Sequence, residues 1–68
     1  MLPLSPRELE VIALMAEGLA TKQIAARLSL SPATVKGYAA TIYLKLGVTG
    51  RVPAVVSWLQ NGGRKGIR

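Results

Sequence analysis

Sixty-eight residues make one domain, near the lower size at which a core holds together unaided, and the absence of cysteine and histidine removes disulfides and Cys/His metal sites as supports. With no aspartate either, and three glutamates as the only acids, no nucleophile–base pair or metal cluster can be assembled, so an enzyme is excluded and no cofactor is expected. Nine Lys and Arg give a net charge of +6, which points to a polyanionic partner.

The first element opens at Leu4-Ser5-Pro6-Arg7-Glu8-Leu9. Ser5 is placed to accept from the N–H of Glu8, and Glu8 to reach back to the N–H of Ser5, which is a capping box. Pro6 falls at the first helical position, where a missing N–H is harmless. Leu4 and Leu9 are spaced for a hydrophobic staple. Leu9, Ile12, Ala13 and Ala16 then recur at helical spacing until Gly18 supplies a left-handed stop.

Thr21 is predicted to cap a shorter helix over about residues 22–28, with Ile24, Ala25 and Leu28 on one face. Ser29-Leu30 leads directly to a second Ser-Pro start, Ser31-Pro32, and a third helix over about residues 32–46. Its inward face is Val35, Ala39, Ile42 and Leu46, flanked by Tyr38 and Tyr43, and Gly47 ends it. A fourth helix follows Val48-Thr49-Gly50. Pro53 stands in its first turn, Val52, Val55, Val56 and Leu59 make it strongly apolar, and Asn61-Gly62-Gly63 closes it. The tail, Arg64-Lys65-Gly66-Ile67-Arg68, is basic and expected to be disordered.

No strand pattern and no repeat beyond the reused Ser-Pro cap is present. The expected fold is therefore all-α, four helices, with the second and third joined by a turn of only a few residues. That is the helix-turn-helix arrangement, in which the second helix of the pair enters the DNA major groove. The charge is sharply divided: Glu8, Glu10 and Glu17 lie in the first seventeen residues, and from Gly18 onward there are eight basic residues and no acid. Nucleic acid is the first candidate for such a surface, an anionic membrane the second, and plain solubility the third. The basic residues are not gathered on one amphipathic face, which weakens the membrane reading. No apolar run reaches the roughly 18 residues of a membrane span and no signal-peptide pattern opens the chain, so a soluble, cytoplasmic protein is expected.

Leu4-Ser5-Pro6-Arg7-Glu8-Leu9-Glu10-Val11, Glu17-Gly18-Leu19, Lys22-Gln23-Ile24-Ala25, Leu30-Ser31, Thr34-Val35-Lys36 and Ile42-Tyr43, then Lys45-Leu46-Gly47-Val48, occur in order and without a gap. Together they resemble the LuxR-type (FixJ- or GerE-type) DNA-binding domain over residues 2 to about 60. Residues 1–63 are accordingly assigned to that domain and residues 64–68 to the tail. The resemblance implies a bacterial transcription regulator that binds double-stranded DNA on the nucleoid as a homodimer. It makes the third helix the recognition helix and the fourth the dimer contact, through Val52, Val55, Val56 and Leu59. It also admits RNA polymerase as a further partner and gives this segment no small-molecule ligand.

On the recognition helix the chain departs from the family. Ala33, Lys36, Gly37, Ala40 and Leu44 face outward, with Thr34 and Thr41 at the edges. The residue after Thr-Val-Lys and the one three further on are often larger or polar in the family; here they are Gly37 and Ala40. Tyr38 replaces a common His, and Leu44 an often basic residue. Base contacts are expected from Lys36 (to guanine O6/N7), Gly37, Ala40 and Thr41, the last two through thymine methyls. Gly37 and Ala40 equally suit a helix with no readout at those positions, so base discrimination is expected to be modest.

The resemblance further implies phosphate contacts from Lys22, Ser31, Thr34, Lys45 and Arg51. Lys22 and the pair Ser31 and Thr34 stand at helix N-termini, where the backbone favours anions. The alternative for each lysine is a solvated surface charge. Trp58, the only tryptophan, can join the dimer face or lie half-buried at the end of the domain. A second function stays open: the small apolar face Ala33, Gly37, Ala40 and Leu44 also suits a protein-interaction module on a helix-turn-helix scaffold.

Overall fold

In the computed structural model, which describes residues 3–61, α1 (Pro6–Ala16) begins on the expected capping box. Ser5 Oγ accepts from the Glu8 N–H at 3.2 Å, and Glu8 Oε1 accepts from the Ser5 N–H at 2.7 Å. The helices that follow are α2 (Thr21–Leu28), α3 (Pro32–Leu46) and α4 (Arg51–Gln60), with no strand among the described residues. The tail and the Gly62-Gly63 part of the expected α4 stop lie outside those residues; within them, Asn61 closes α4 and donates from its amide to the Ser57 carbonyl at 2.7 Å.

Three helix ends share one closure. At the end of α1, the Gly18 N–H reaches the Met15 carbonyl (2.9 Å) and the Leu19 N–H the Leu14 carbonyl (3.2 Å), with Gly18 at φ +92°. Leu30 N–H to Ala25 carbonyl (2.8 Å) closes α2, and Val48 N–H to Tyr43 carbonyl (3.0 Å) closes α3 around Gly47 at φ +71°. Each pair satisfies carbonyls that the last turn leaves free. Ser29 performs this turn at φ 59° with a side chain in place, which a left-handed backbone disfavours.

The start of α2 differs from expectation. Ala20, not Thr21, holds the extended capping position, and the Ala20 N–H is satisfied by Gln23 Oε1 at 2.7 Å. Thr21 is the first helical residue. The reaching-back half of a capping box therefore suffices here, supplied by a glutamine two residues beyond the expected cap.

The core consists of Val11, Ile12, Leu14 and Met15 from α1, Ile24 and Ala25 from α2, Val35 and Ile42 from α3, and Ala54 and Trp58 from α4. Only Ile12 of the face expected for α1 is fully buried; Ala13 and Ala16 are partly covered and Leu9 is exposed. The buried apolar residues of α1, Val11, Ile12, Leu14 and Met15, form a wider arc than one 3.6-residue stripe, centred away from Leu9. In α3 the expected face is the observed one, with Val35 and Ile42 inside and Tyr38, Ala39, Tyr43 and Leu46 packed around them. In α4 the inward pair is Ala54 and Trp58, one turn apart, and the valines stand outside it.

Candidate nucleic-acid interface

The turn between α2 and α3 is short because Ser29 and Leu30 close one helix while Ser31 caps the next. Ser31 Oγ accepts from the Thr34 N–H at 3.1 Å and lies 2.9 Å from Thr34 Oγ1. Two hydroxyls joined by one hydrogen bond retain one further O–H proton, and both side chains are exposed. The N-terminus of α3 thus offers a hydroxyl donor beside one uncapped backbone N–H, that of Ala33, since Pro32 has none and those of Thr34 and Val35 are held by Ser31. Lys22, in the first turn of α2, is exposed as well.

Along α3, Ala33, Lys36, Gly37, Ala40 and Leu44 are all exposed, as the helical wheel requires, and Leu44 is 81% exposed. Lys36 forms no ion pair among the described residues. Thr41 is half-buried and donates its hydroxyl to the Gly37 carbonyl at 3.2 Å. A Cβ built on Gly37 meets nothing within 4 Å, so the domain's own packing does not require a glycine there. In a helix interior glycine costs roughly 1 kcal/mol relative to alanine.

Two other expected phosphate ligands face inward. Lys45 Nζ donates to Glu8 Oε1 at 2.8 Å, and Glu8 is 4% exposed. The hydrogen bond from Lys45 holds the Glu8 carboxyl below its ordinary value; burial opposes that shift and the N–H of Ser5 reinforces it. Arg51 Nη2 donates to the carbonyls of Met15, at 3.3 Å, and Leu19, so the first residue of α4 grips the C-terminal end of α1. The sequence carried no sign of these partners, because Lys45 and Glu8 are 37 residues apart and no local spacing relates them. Arg7 and Glu10 form an exposed pair within α1 at 3.0 Å.

The outward side of α4 presents Val52 (72% exposed), Val56 (46%) and Leu59 (43%), with Val55 partly covered beside them. No helix among the described residues is long and apolar enough to cross a membrane, and no cluster among them could hold a metal ion.

The family model for bacterial regulatory proteins of the luxR family matches residues 2–58. The chain belongs to that family. It is a LuxR-type helix-turn-helix domain, which binds DNA in the regulation of transcription, a binding rather than an enzymatic family. It is 42% identical over 60 residues to the transcriptional regulatory protein DesR of Bacillus subtilis, covering 88% of this chain and 30% of DesR. Against the nitrate/nitrite response regulator protein NarP of Escherichia coli it is 43% identical over 60 residues, 88% of this chain and 28% of NarP. Among solved structures it resembles the response regulator ChrA of a heme-sensing two-component system, with a TM-score of 0.87 at 40% identity over 93% of this chain and 31% of ChrA. It also resembles the transcription factor GerE, with a TM-score of 0.83 at 35% identity over 88% of this chain and 90% of GerE. The chain therefore spans less than a third of DesR, NarP and ChrA, but matches nearly the whole of GerE.

Proposed function

We propose that α3 of this LuxR-type domain lies in the major groove with Lys36, Gly37, Ala40 and Thr41 at the base edges. Lys22, Ser31 and Thr34 take phosphates alongside, and base discrimination is modest because only Lys36 brings a long polar arm to the groove. The observation that carries this reading is the outward face of α3, exposed from Ala33 to Leu44 and used by none of the domain's own core. Lys45 and Arg51 enter second. An ammonium has three donors and a guanidinium five, so each can keep its internal partner while a further N–H reaches a phosphate. Their first task is to hold α3 and α4 against α1.

Two domains pair on DNA through Val52, Val55, Val56 and Leu59 of α4, a stripe that the single domain leaves partly exposed, Val52 most of all. A two-fold arrangement would place the two α3 helices on half-sites one helical turn apart. The protein works on the bacterial nucleoid in the cytoplasm, and contact with RNA polymerase falls to surfaces turned away from the DNA.

Fluorescence anisotropy of a mixed-sequence duplex of about 20 base pairs, two helical turns, tests the reading when titrated at several salt concentrations. The expected result is binding that weakens with salt at a log–log slope of several units, since each neutralised phosphate contributes about 0.9. Absence of binding at low salt would overturn it.

A further inference from the structure

We infer that the outward face of α3 selects its DNA by thymine methyl groups, with Lys36 adding one guanine contact, so that the preferred half-site is a thymine-rich run beside a single guanine. The inference rests on the proposed placement of α3 in the major groove and names what that helix reads there. Ala33, Gly37, Ala40 and Leu44 follow one another at intervals of four, three and four residues, which aligns them in one strip along the helix. The strip is exposed throughout, and Leu44 keeps 81% of its surface in water. From Ala33 to Leu44 it runs about 16 Å, at 1.5 Å per residue, close to five base-pair steps of 3.4 Å.

The major-groove edges differ in what they offer. Guanine presents two acceptors, cytosine an amino donor, adenine an acceptor and an amino donor, and thymine an acceptor and a methyl group. The strong side-chain readers of the amino groups of cytosine and adenine are a carboxylate and a bidentate amide. None lies on α3: all three acids belong to α1 and its cap, Gln23 is on α2, and Gln60 and Asn61 end α4. Thr41, at the edge of the strip, commits its hydroxyl proton to the Gly37 carbonyl and keeps only lone pairs, which accept a single amino N–H and form no bidentate pair. What remains is one ammonium, suited to guanine O6/N7, and an apolar strip suited to methyl groups. Gly37 adds a gap, since nothing in the domain lies within 4 Å of where its Cβ would stand. A methyl group projecting from a base can enter there, between Ala33 and Ala40, without displacing a side chain. An exposed leucine that the fold does not use acquires a partner in the same way.

The test uses the 68-residue chain. Sites are first selected from a random duplex library, and the selected duplex is then resynthesised with deoxyuridine replacing thymine, one position at a time. Uracil keeps thymine's hydrogen-bonding edge and lacks only the methyl. We expect thymine enrichment in the selected half-sites and a loss of about fourfold in affinity for each contacted methyl removed, the factor for one buried methyl-sized group. Uracil outside the half-sites should change nothing. Leu44→Ala should abolish the thymine-over-uracil preference at one position, leave it at the others, and leave the melting temperature unchanged. Equal affinity for thymine and uracil duplexes, or selected sites without thymine enrichment, would overturn the inference while leaving DNA binding by α3 intact. Failure to bind any duplex at low salt would overturn both.

Discussion

Lys22 and Lys36 differ in kind from Lys45 and Arg51, although all four stand in the acid-free stretch of the chain and look alike in sequence. The first two are exposed, on the α2–α3 side of the domain, and form no ion pair among the described residues. The second two, at the end of α3 and the start of α4, are tied to Glu8 and to the carbonyls of Met15 and Leu19. A basic surface is therefore not all ligand-binding surface. Part of the positive charge serves as internal fastening, and the distinction depends on partners more than thirty residues away.

The largest effect that could break this comparison is on stability. Lys45→Ala leaves the Glu8 carboxylate buried without its ammonium. In so thin a domain water lies close by, so we expect a loss of about 1–2 kcal/mol rather than the 3–5 of a deeply buried pair. For a domain of this size that is a fall in melting temperature of the order of 10 °C. Thermal unfolding followed by circular dichroism would show it, and Lys22→Ala should shift the midpoint very little. Equal shifts for the two variants would end the distinction.

The same pair predicts a pH dependence. Because Lys45 holds the Glu8 carboxyl below its ordinary value of 4.5, the stabilisation is complete above that value. It is lost as pH falls through the lowered value of the folded chain. Melting temperatures measured down this range should drop more steeply for the native chain than for Glu8→Gln, which has no carboxyl to protonate.

A smaller effect sharpens the contrast from the other side. Gly37 occupies a helical position with room for a side chain, so Gly37→Ala should raise stability by roughly 0.5–1 kcal/mol. If the face belongs to DNA, the same variant should not tighten binding. Least visible in stability, and clearest in binding, are the outward lysines. Lys22→Ala and Lys36→Ala are each expected to leave folding within about 0.5 kcal/mol. For Lys22→Ala the log–log salt slope should fall by about 1, whereas a base-directed Lys36 should instead relax preference at one base.

Much of the fold was legible because its signals are local. Ser5 and Glu8 sit three apart, Gly18 and Gly47 mark left-handed ends, and Val35 and Ile42 repeat at helical spacing. The outward face of α3 followed from the same periodicity. Illegible were the features set by packing. The inward arc of α1 is wider than one stripe, with Val11, Leu14 and Met15 in the core and Leu9 outside it. In α4 the small Ala54 and the large Trp58 turned inward, although the valines carry the stronger apolar pattern. Thr21 looked like a cap by residue type, yet Gln23 served Ala20 instead. The partners of Lys45 and Arg51 leave no trace in spacing, which is why these two stand beside Lys22 among the phosphate candidates.

Glu8 Oε1 receives both the Ser5 N–H, three residues away, and the Lys45 ammonium, 37 residues away. Two timescales of folding thus meet at one oxygen. The local bond can form within a nascent turn, but the long-range one waits until the far end of α3 has docked. First-turn amides ordinarily fray and exchange quickly with solvent. Here the Ser5 amide is held by a carboxylate that the rest of the domain holds in turn. Its exchange with deuterium should slow to the pace of global unfolding, making one peripheral N–H a reporter of the completed assembly.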